Sequence, residues 1–393
     1  MALAKGQTQT TSNKPSYRVP SMAEIAEIPW NGYRVVSTFS GAGGSCLGFR
    51  MAGYRVVWAS EFVPAAQETY RANHPDTILD TRDIRQVTAE DILSATGLAV
   101  GELDVFEGSP PCASFSTAGK REAGWGKVKA YSDTKQRVDD LFFEYARLLR
   151  DLQPRVFVAE NVSGLVKGTA KGYFKEILRE LRACGYVVEA RLLDAQWLGV
   201  PQTRQRLIFQ GVREDLGCRP AWPEPLPYRY SVRDALPWIR AVQHSRGWKP
   251  SDEPCPTIVQ TGALLSPTAR FSGGTYVEAE TDISRFAIGA EWEKLKPGEK
   301  SERYFNLVRV HPDRPSPTIT QTGGEPSAAG PTHPYERRKF TIGELKRICA
   351  FPDDFLLTGT YEQQWERLGR AVPPVMMYHV ARVIRDEILG RLP

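Results

Sequence analysis

The sequence predicts an α/β protein with a second, smaller domain. Three observations carry this. Short apolar runs alternate with helical periodicity from Arg34 to Gly211, the pattern of strand–helix–strand units. A glycine-rich stretch, Ser40-Gly41-Ala42-Gly43-Gly44-Ser45, separates the first such run from the first helical segment. Glycines there let backbone turn sharply and approach a ligand closely. From Arg213 to about Pro334 the alternation stops and Pro, Gly, Trp, Tyr and Arg dominate, before helices return. The expected division is a leader without fixed structure over 1–30, a large domain over 31–213, a small one over 214–334, and a return to the large domain over 335–393.

The elements follow in order. Arg34 to Phe39 reads as a strand, and Cys46 to Ala52 as the helix after the glycine turn. Tyr54 to Ala59 is the next strand and ends at Glu61. An acid roughly 20 positions beyond such a turn is placed to hold ribose hydroxyls. Pro64 opens a helix that stops before Pro75, and Asp83-Ile84 follows the next short segment. Leu103 to Phe106 reads as a buried strand leading into Gly108-Ser109-Pro110-Pro111-Cys112. Two prolines hold that cysteine on a stiff turn, a good place for a nucleophile and a poor one for a core residue. Thr117 to Arg137 is a long basic loop with Gly119, Gly124 and Gly126 around Trp125. Such a loop suits closure over a phosphate backbone. A helix follows from Val138 to Leu152, then the strand Val156-Phe157-Val158-Ala159, which ends in Glu160-Asn161-Val162. A carboxylate at the carboxyl end of a parallel strand lies on the ligand side of such a sheet. Gly172 to Cys184 is an amphipathic helix, followed by strands over Val187–Leu193 and Leu207–Gly211. Arg204 and Arg206 alternate into that last strand and so are expected on one face. In the small domain, Pro254–Gly262 and Pro315–Gly323 resemble one another, as a duplicated structural element would. Thr341 caps a helix to Phe351 with Glu344 in the capping-box position, and Val375 to Leu389 forms the last helix.

Composition sets the class. The chain has 393 residues, 41% hydrophobic and 25% charged, as soluble globular proteins do. No apolar run approaches the ~18 residues that span a membrane. Met1 to Ser16 is polar and does not resemble a secretory signal. The six cysteines are scattered without a C-x-x-C pair, and the five histidines have no ligand spacing. This argues for a reducing cytoplasm and against a metal or a disulfide framework. The net charge of +5 permits a polyanionic partner without demanding one.

The chain resembles the DNA cytosine-5 methyltransferases. Phe39-Ser40-Gly41-Ala42-Gly43-Gly44 looks like the family's cofactor turn, Pro111-Cys112 like its nucleophile motif, and Glu160-Asn161-Val162 like its acid motif. Gln202-Thr203-Arg204-Gln205-Arg206 resembles the arginine motif. Pro352, with Arg347 and Phe351, resembles the penultimate motif, and Gly369–Pro374 the last. All occur in the family's order. The resemblance implies a Rossmann-like, S-adenosylmethionine-dependent methyltransferase sheet with a target-recognition domain over 214–334. It implies a cytoplasmic bacterial or phage enzyme acting on double-stranded DNA, expected as a monomer, with a companion restriction endonuclease left open.

The chemistry explains the residue types. Cytosine C5 is too poor a nucleophile to attack a sulfonium, but thiolate addition at C6 makes it enamine-like, the role of Cys112. Glu160 would stabilise the charge pushed onto N3. Arg204 and Arg206 would hold the base and lower the thiol's pKa. The base must leave the duplex stack. By resemblance, Phe39 packs the adenine, Glu61 holds the ribose and Asp83 the adenine amino group. Gly41, Gly43, Gly44, Ile84, Pro111 and Val372 complete the cofactor site, with Ser116, Lys120, Arg121 and Lys127 facing DNA. The family usually has Asn at the position of Arg370, and Asp is common at that of Ser37. A guanidinium fits a carboxylate in bidentate fashion. The donor is therefore S-adenosylmethionine or, if Arg370 reads a carboxylate on the transferred group, carboxy-S-adenosylmethionine, giving 5-carboxymethylcytosine. A tRNA cytosine-5 methyltransferase and a catalytically silent DNA-binding protein are the other readings.

Overall fold

The structure is a computed structural model that describes residues 14–111, 129–131, 134–136, 141–166, 171–239, 270–272, 275–277 and 280–392. The short helix α1 (Met22–Ala26) precedes a seven-stranded sheet. Strand β1 (Arg34–Thr38) leads through the glycine turn to α2 (Gly44–Met51), then β2 (Arg55–Ser60), α3 (Pro64–Asn73), β3 (Ile78–Asp80), α4 (Ala89–Thr96) and β4 (Val105–Gly108). A short antiparallel pair, β5 (Lys129–Tyr131) and β6 (Thr134–Gln136), precedes α5 (Leu141–Leu152) and β7 (Val156–Val162). Helix α6 (Lys171–Ala183), β8 (Tyr186–Asp194), β9 (Gln202–Thr203) and β10 (Gln205–Arg213) follow. The sheet order is β3-β2-β1-β4-β7-β10-β8. Strands β1, β2, β3, β4 and β7 pair in parallel, while β10 runs antiparallel between β7 and β8. The order reverses between β1 and β4, and open α/β sheets bind ligands at such a point, beyond the carboxyl ends of the strands.

Both faces of the sheet are covered, which is why β7 is apolar at successive positions from Val156 to Ala159 rather than alternating. On one face Val36, Phe106, Phe157 and Phe209 pack with Phe142, Leu149, Ile177 and Leu181 of α5 and α6. On the other, Val35, Val105, Val158 and Ile208 pack with Cys46 and Phe49 of α2 and with Met376 and Val380 of α11 (Pro374–Val383). The chain thus ends beside the strand with which it begins.

Beyond β10 the chain holds α7 (Val232–Ala235), the pair β11 (Arg270–Ser272) and β12 (Thr275–Val277), and α8 (Ala287–Trp292). The strands β13 (Val308–Arg309), β14 (Ser316–Pro317) and β15 (Pro331–Thr332) follow. Ile283, Ile288, Trp292, Leu295 and Leu307 form a small core of their own. Val232, Leu236, Ile319 and Phe340 instead join Leu47 of α2 and residues of α9 (Ile342–Ile348) and α10 (Tyr361–Arg370) in a third cluster.

Thr341 caps α9 in a complete capping box with Glu344, as its spacing predicts. Three helices differ from expectation. Helix α1 forms within 1–30, the stretch expected to lack fixed structure, because Ser21 and Glu24 complete a capping box there. Helix α2 begins at Gly44, not Cys46, because Gly43 at φ 84° serves as its N-cap. The last helix is α only to Val383 and continues as a π turn over Ile384–Ile388. A π turn preserves apolar side chains on the buried face, so periodicity does not reveal it. Among the described residues no helix is long and apolar enough to cross a membrane.

Candidate active site

The glycine turn is built differently on its two sides. Phe39, half-buried, leaves β1 at φ 54°, which costs a non-glycine residue about 1–2 kcal/mol. Gly41 stands at φ 56° with nothing within 4 Å of where a Cβ would be, so backbone is open to a ligand there. Gly43 and Gly44 are glycines for a different reason. A Cβ on Gly43 would meet His74 Nε2 at 2.2 Å, and one on Gly44 would meet the Val372 carbonyl at 2.5 Å. The Val372 side chain points into the core with Cys46 and Met376, so the residue meets the turn through its backbone.

Glu61 is brought to this turn. Its Oε2 accepts from Gly41 N–H and its Oε1 from Val63 N–H, both at 2.7 Å. Burial raises its pKa, while these two N–H groups and the nearby Arg367 guanidinium oppose the rise. Asp83 caps the short turn Ile84–Gln86, accepts from Arg85 N–H at 3.0 Å and pairs with the Arg85 guanidinium at 2.9 Å. Ile84 is buried in the core beside that turn.

Cys112, Ser116, Lys120, Arg121 and Lys127 lie outside the described residues. The chain that leads to Cys112 is anchored: Pro110 carbonyl accepts from Asn161 Nδ2 at 3.2 Å. Asn161 follows Glu160 on β7, so one motif supplies both the acid and the tether for the Pro110–Pro111 turn.

Glu160 meets Arg206. In the β7–β10 register Glu160 faces Ile208 and Arg206 faces Val162, which makes the two diagonal neighbours on one face. Arg206 Nε lies 2.5 Å from Glu160 Oε1, with Glu160 buried and the Arg206 side chain 12% exposed. Burial lowers the pKa of Arg206 and the Glu160 carboxylate offsets part of that fall.

Arg204 corrects the expectation that the two arginines serve one face. It sits in the break between β9 and β10, where strand alternation does not hold. Its guanidinium is 1% exposed by residue and donates to Ile319 O at 3.0 Å and Gly369 O at 2.8 Å. Burial and the neighbouring Arg206 push it down to about 9. Arg204 therefore ties the arginine motif to the second of the two similar segments and to the end of α10. That segment also pairs in parallel, β14 with β9, and Gln202 Oε1 accepts from Ile319 N–H at 3.2 Å. Pro254–Gly262, the first copy, lies outside the described residues.

Arg370 closes α10, and the Ala371–Val372 backbone beyond it packs on Gly44. Its Nε donates to Glu366 Oε1 at 2.7 Å, and Glu366 also accepts from Arg367 at 2.8 Å. Sequence reading passed over Glu366 and Arg367, although their i, i+4 and i, i+3 spacing to Arg370 and to one another's turn marks a common helix edge. It also passed over Asn161 and Gln202, which lie inside motifs already singled out, and Glu107, an acid inside an apolar run. Among the described residues there is no group of three His, Cys, Asp or Glu side chains able to hold a metal.

Comparison with known proteins shows the family and the fold. A type II methyltransferase, M.NgoPII of Neisseria gonorrhoeae, is 30% identical over 374 residues, covering 93% of this chain and 99% of its own. M1.HphI of Haemophilus parahaemolyticus, also a type II methyltransferase, is 31% identical over 89% of this chain and 86% of its own. Among solved structures, a putative DNA modification methyltransferase encoded within an E. coli prophage shares the fold with a TM-score of 0.67 at 22% identity, covering 92% of this chain and all (100%) of the other. The Spodoptera frugiperda DNMT2 structure matches with a TM-score of 0.57 at 18% identity, over 90% of this chain and 99% of its own. The C-5 cytosine-specific DNA methylase family matches residues 33–386, and the chain belongs to that family, whose cofactor is S-adenosylmethionine.

Proposed function

We propose that this enzyme methylates C5 of cytosine within a specific duplex DNA sequence, on a base flipped out of the stack, through a covalent bond from Cys112 to C6. The observation that carries the reading is the Glu160–Arg206 pair, with the Pro110 carbonyl, two residues before Cys112 in sequence, tethered to the adjoining Asn161. The residues present suit the cofactor. Gly41 leaves room for close backbone approach. Phe39, Gly41 and Glu61 would hold it, with Asp83 at the edge, and it supplies an electrophilic methyl group. Cys112 adds to C6 and makes C5 nucleophilic; Glu160, oriented by Arg206, hydrogen-bonds at N3 and offsets the charge that builds there. Loss of the C5 proton then releases Cys112. Arg204 acts at one remove, by fixing the arginine motif on the Ile319 segment. Residues within 214–334 would read the target, and Ser116, Lys120, Arg121 and Lys127 would contact the DNA backbone.

Duplex DNA carrying 5-fluorocytosine at the target is expected to form a denaturation-stable adduct that Cys112→Ser does not form. An adduct with tRNA in preference to duplex DNA would move the substrate to RNA, and no adduct with either would leave a silent DNA-binding protein.

A second reading is carboxymethyl transfer from carboxy-S-adenosylmethionine. Its support is the position of Arg370, two residues from the Val372 carbonyl that packs on the cofactor turn. Glu366 counts against it, because it already gives that guanidinium a carboxylate partner at 2.7 Å. With both donors supplied, the expected product is 5-methylcytosine, read by the mass of the modified nucleoside. A dominant 5-carboxymethylcytosine peak that vanishes in Arg370→Asn reverses this assignment.

A further inference from the structure

A row of polar side chains crosses one face of the sheet near the carboxyl ends of its strands. Ser37 on β1 is in register with Glu107 on β4. Glu107 is in register with Val158 on β7, so Glu160, two residues on, shares its face, and Arg206 on β10 follows diagonally. Glu107 is the one acid of this row with no part in the reading above. It is 1% exposed, and Ser37 Oγ donates to its Oε2. Ser37 Oγ lies 2.8 Å from Ser40 Oγ in the glycine turn, and the Ser45 hydroxyl of α2 stands beside the carboxyl.

Among the described residues, the groups facing Glu107 bring no positive charge. They are Cys46 and Ser45 from α2, Tyr70 from α3, Tyr145 from α5, Ser37 from β1 and Glu160 from β7. Arg206, farther along the row, is engaged by Glu160. A buried carboxylate without a cation is costly, so burial pushes Glu107 up to about 7, against the Ser37 and Ser45 hydroxyls and helped by Glu160. Location says what could neutralise it. Glu107 and Ser37 sit near the carboxyl ends of β4 and β1, the strands between which the order reverses, and open α/β sheets take their ligands at that point. Glu61, at the end of β2, is placed for a ribose, so the other end of the donor runs over β1 and β4. That end is an amino acid and carries an ammonium group.

We propose that Glu107 is the anion that meets the ammonium of the donor's amino-acid end, and that donor binding expels the Glu107 proton to solvent. This rests on the cofactor reading above. Ionisation leaves the carboxylate accepting from Ser37 and facing the ammonium, with the proton passed to buffer. The sign follows. At low pH the free protein holds the proton and binding must remove it, so affinity falls as pH falls through about 7. Above that, Glu107 is already ionised and adds no pH dependence.

Isothermal titration calorimetry with S-adenosylhomocysteine and with S-adenosylmethionine, in buffers of different ionisation enthalpy, tests this. The expected result at about pH 6.5 is release of most of one proton with both compounds, and a Kd that weakens about five- to tenfold from pH 7.5 to 6. Glu107→Gln is expected to release none and to lose that pH dependence. Should that variant not fold, Ser37→Ala serves, because losing the hydrogen bond to the ionised carboxyl moves the release to higher pH. Binding of both compounds without proton release, or release that persists in Glu107→Gln, overturns the role of Glu107. Release with S-adenosylmethionine alone moves the contact to the sulfonium and overturns the ammonium assignment. Failure of either compound to bind at any pH sinks the cofactor reading itself.

Discussion

Glu160→Gln is expected to lower kcat by about 10²–10⁴-fold while leaving the affinity for duplex DNA within a few-fold. The substitution keeps the shape of the side chain and removes its ability to carry or share a proton at N3. Charge on the base appears only as the thiol adds, so the loss falls on the reacting state and not on the bound one. Arg206 sharpens the expectation. It lies 2.5 Å from Glu160 Oε1 with little of its side chain exposed, so Gln at 160 also removes the carboxylate partner of a largely desolvated guanidinium. Single-turnover rates with saturating DNA, set beside equilibrium DNA binding, check it. Equal losses in both would make Glu160 a residue of the DNA surface rather than of the chemistry.

Arg204→Met is expected to destabilise the fold by about 3–5 kcal/mol, the range seen when a buried, hydrogen-bonded charge is lost from its site. The Met side chain fills part of the space but leaves the Ile319 and Gly369 carbonyls, now served at 3.0 and 2.8 Å, without a donor. Denaturant unfolding followed by fluorescence reads the loss. Arg206→Met is the contrast: its loss is expected chiefly in turnover, because its partner is Glu160, the acid proposed to act at N3. If Arg204→Met proves as stable as the parent and fails only in catalysis, Arg204 belongs with the reacting groups and the structural reading is wrong.

These two arginines show where sequence reading reaches its limit. Their i, i+2 spacing implies one face only if a single strand contains both, and the chain breaks between Thr203 and Gln205. No local signal marks that break; Ile319 and Gly369, more than a hundred residues away, hold it. The glycine turn was legible as a ligand-side turn, yet only Gly41 has open space above it. Gly43 and Gly44 answer to His74 and Val372, contacts that spacing cannot reveal. Glu107 was invisible for a related reason. One acid in an apolar run looks like a surface position, and burial appears only when β1, β7, α2 and α5 close around it.

What the sequence by itself determined was the order of elements and the chemistry on offer. Strand–helix alternation, the turn after β1, and acids or a thiol at strand ends are local, and local backbone preference and burial pattern specify them. Tertiary structure alone decided which of those groups act together. Neighbouring strands, parallel from β1 through β4 to β7 and antiparallel at β10, bring Ser37, Glu107, Glu160 and Arg206 into one row across the sheet, although the chain holds them far apart. The same closure turned Arg204 away from the row and gave Arg370 a partner in Glu366. The physical reason is that a buried charge takes whatever partner the packing brings, and packing is set by the fold as a whole rather than by spacing along the chain.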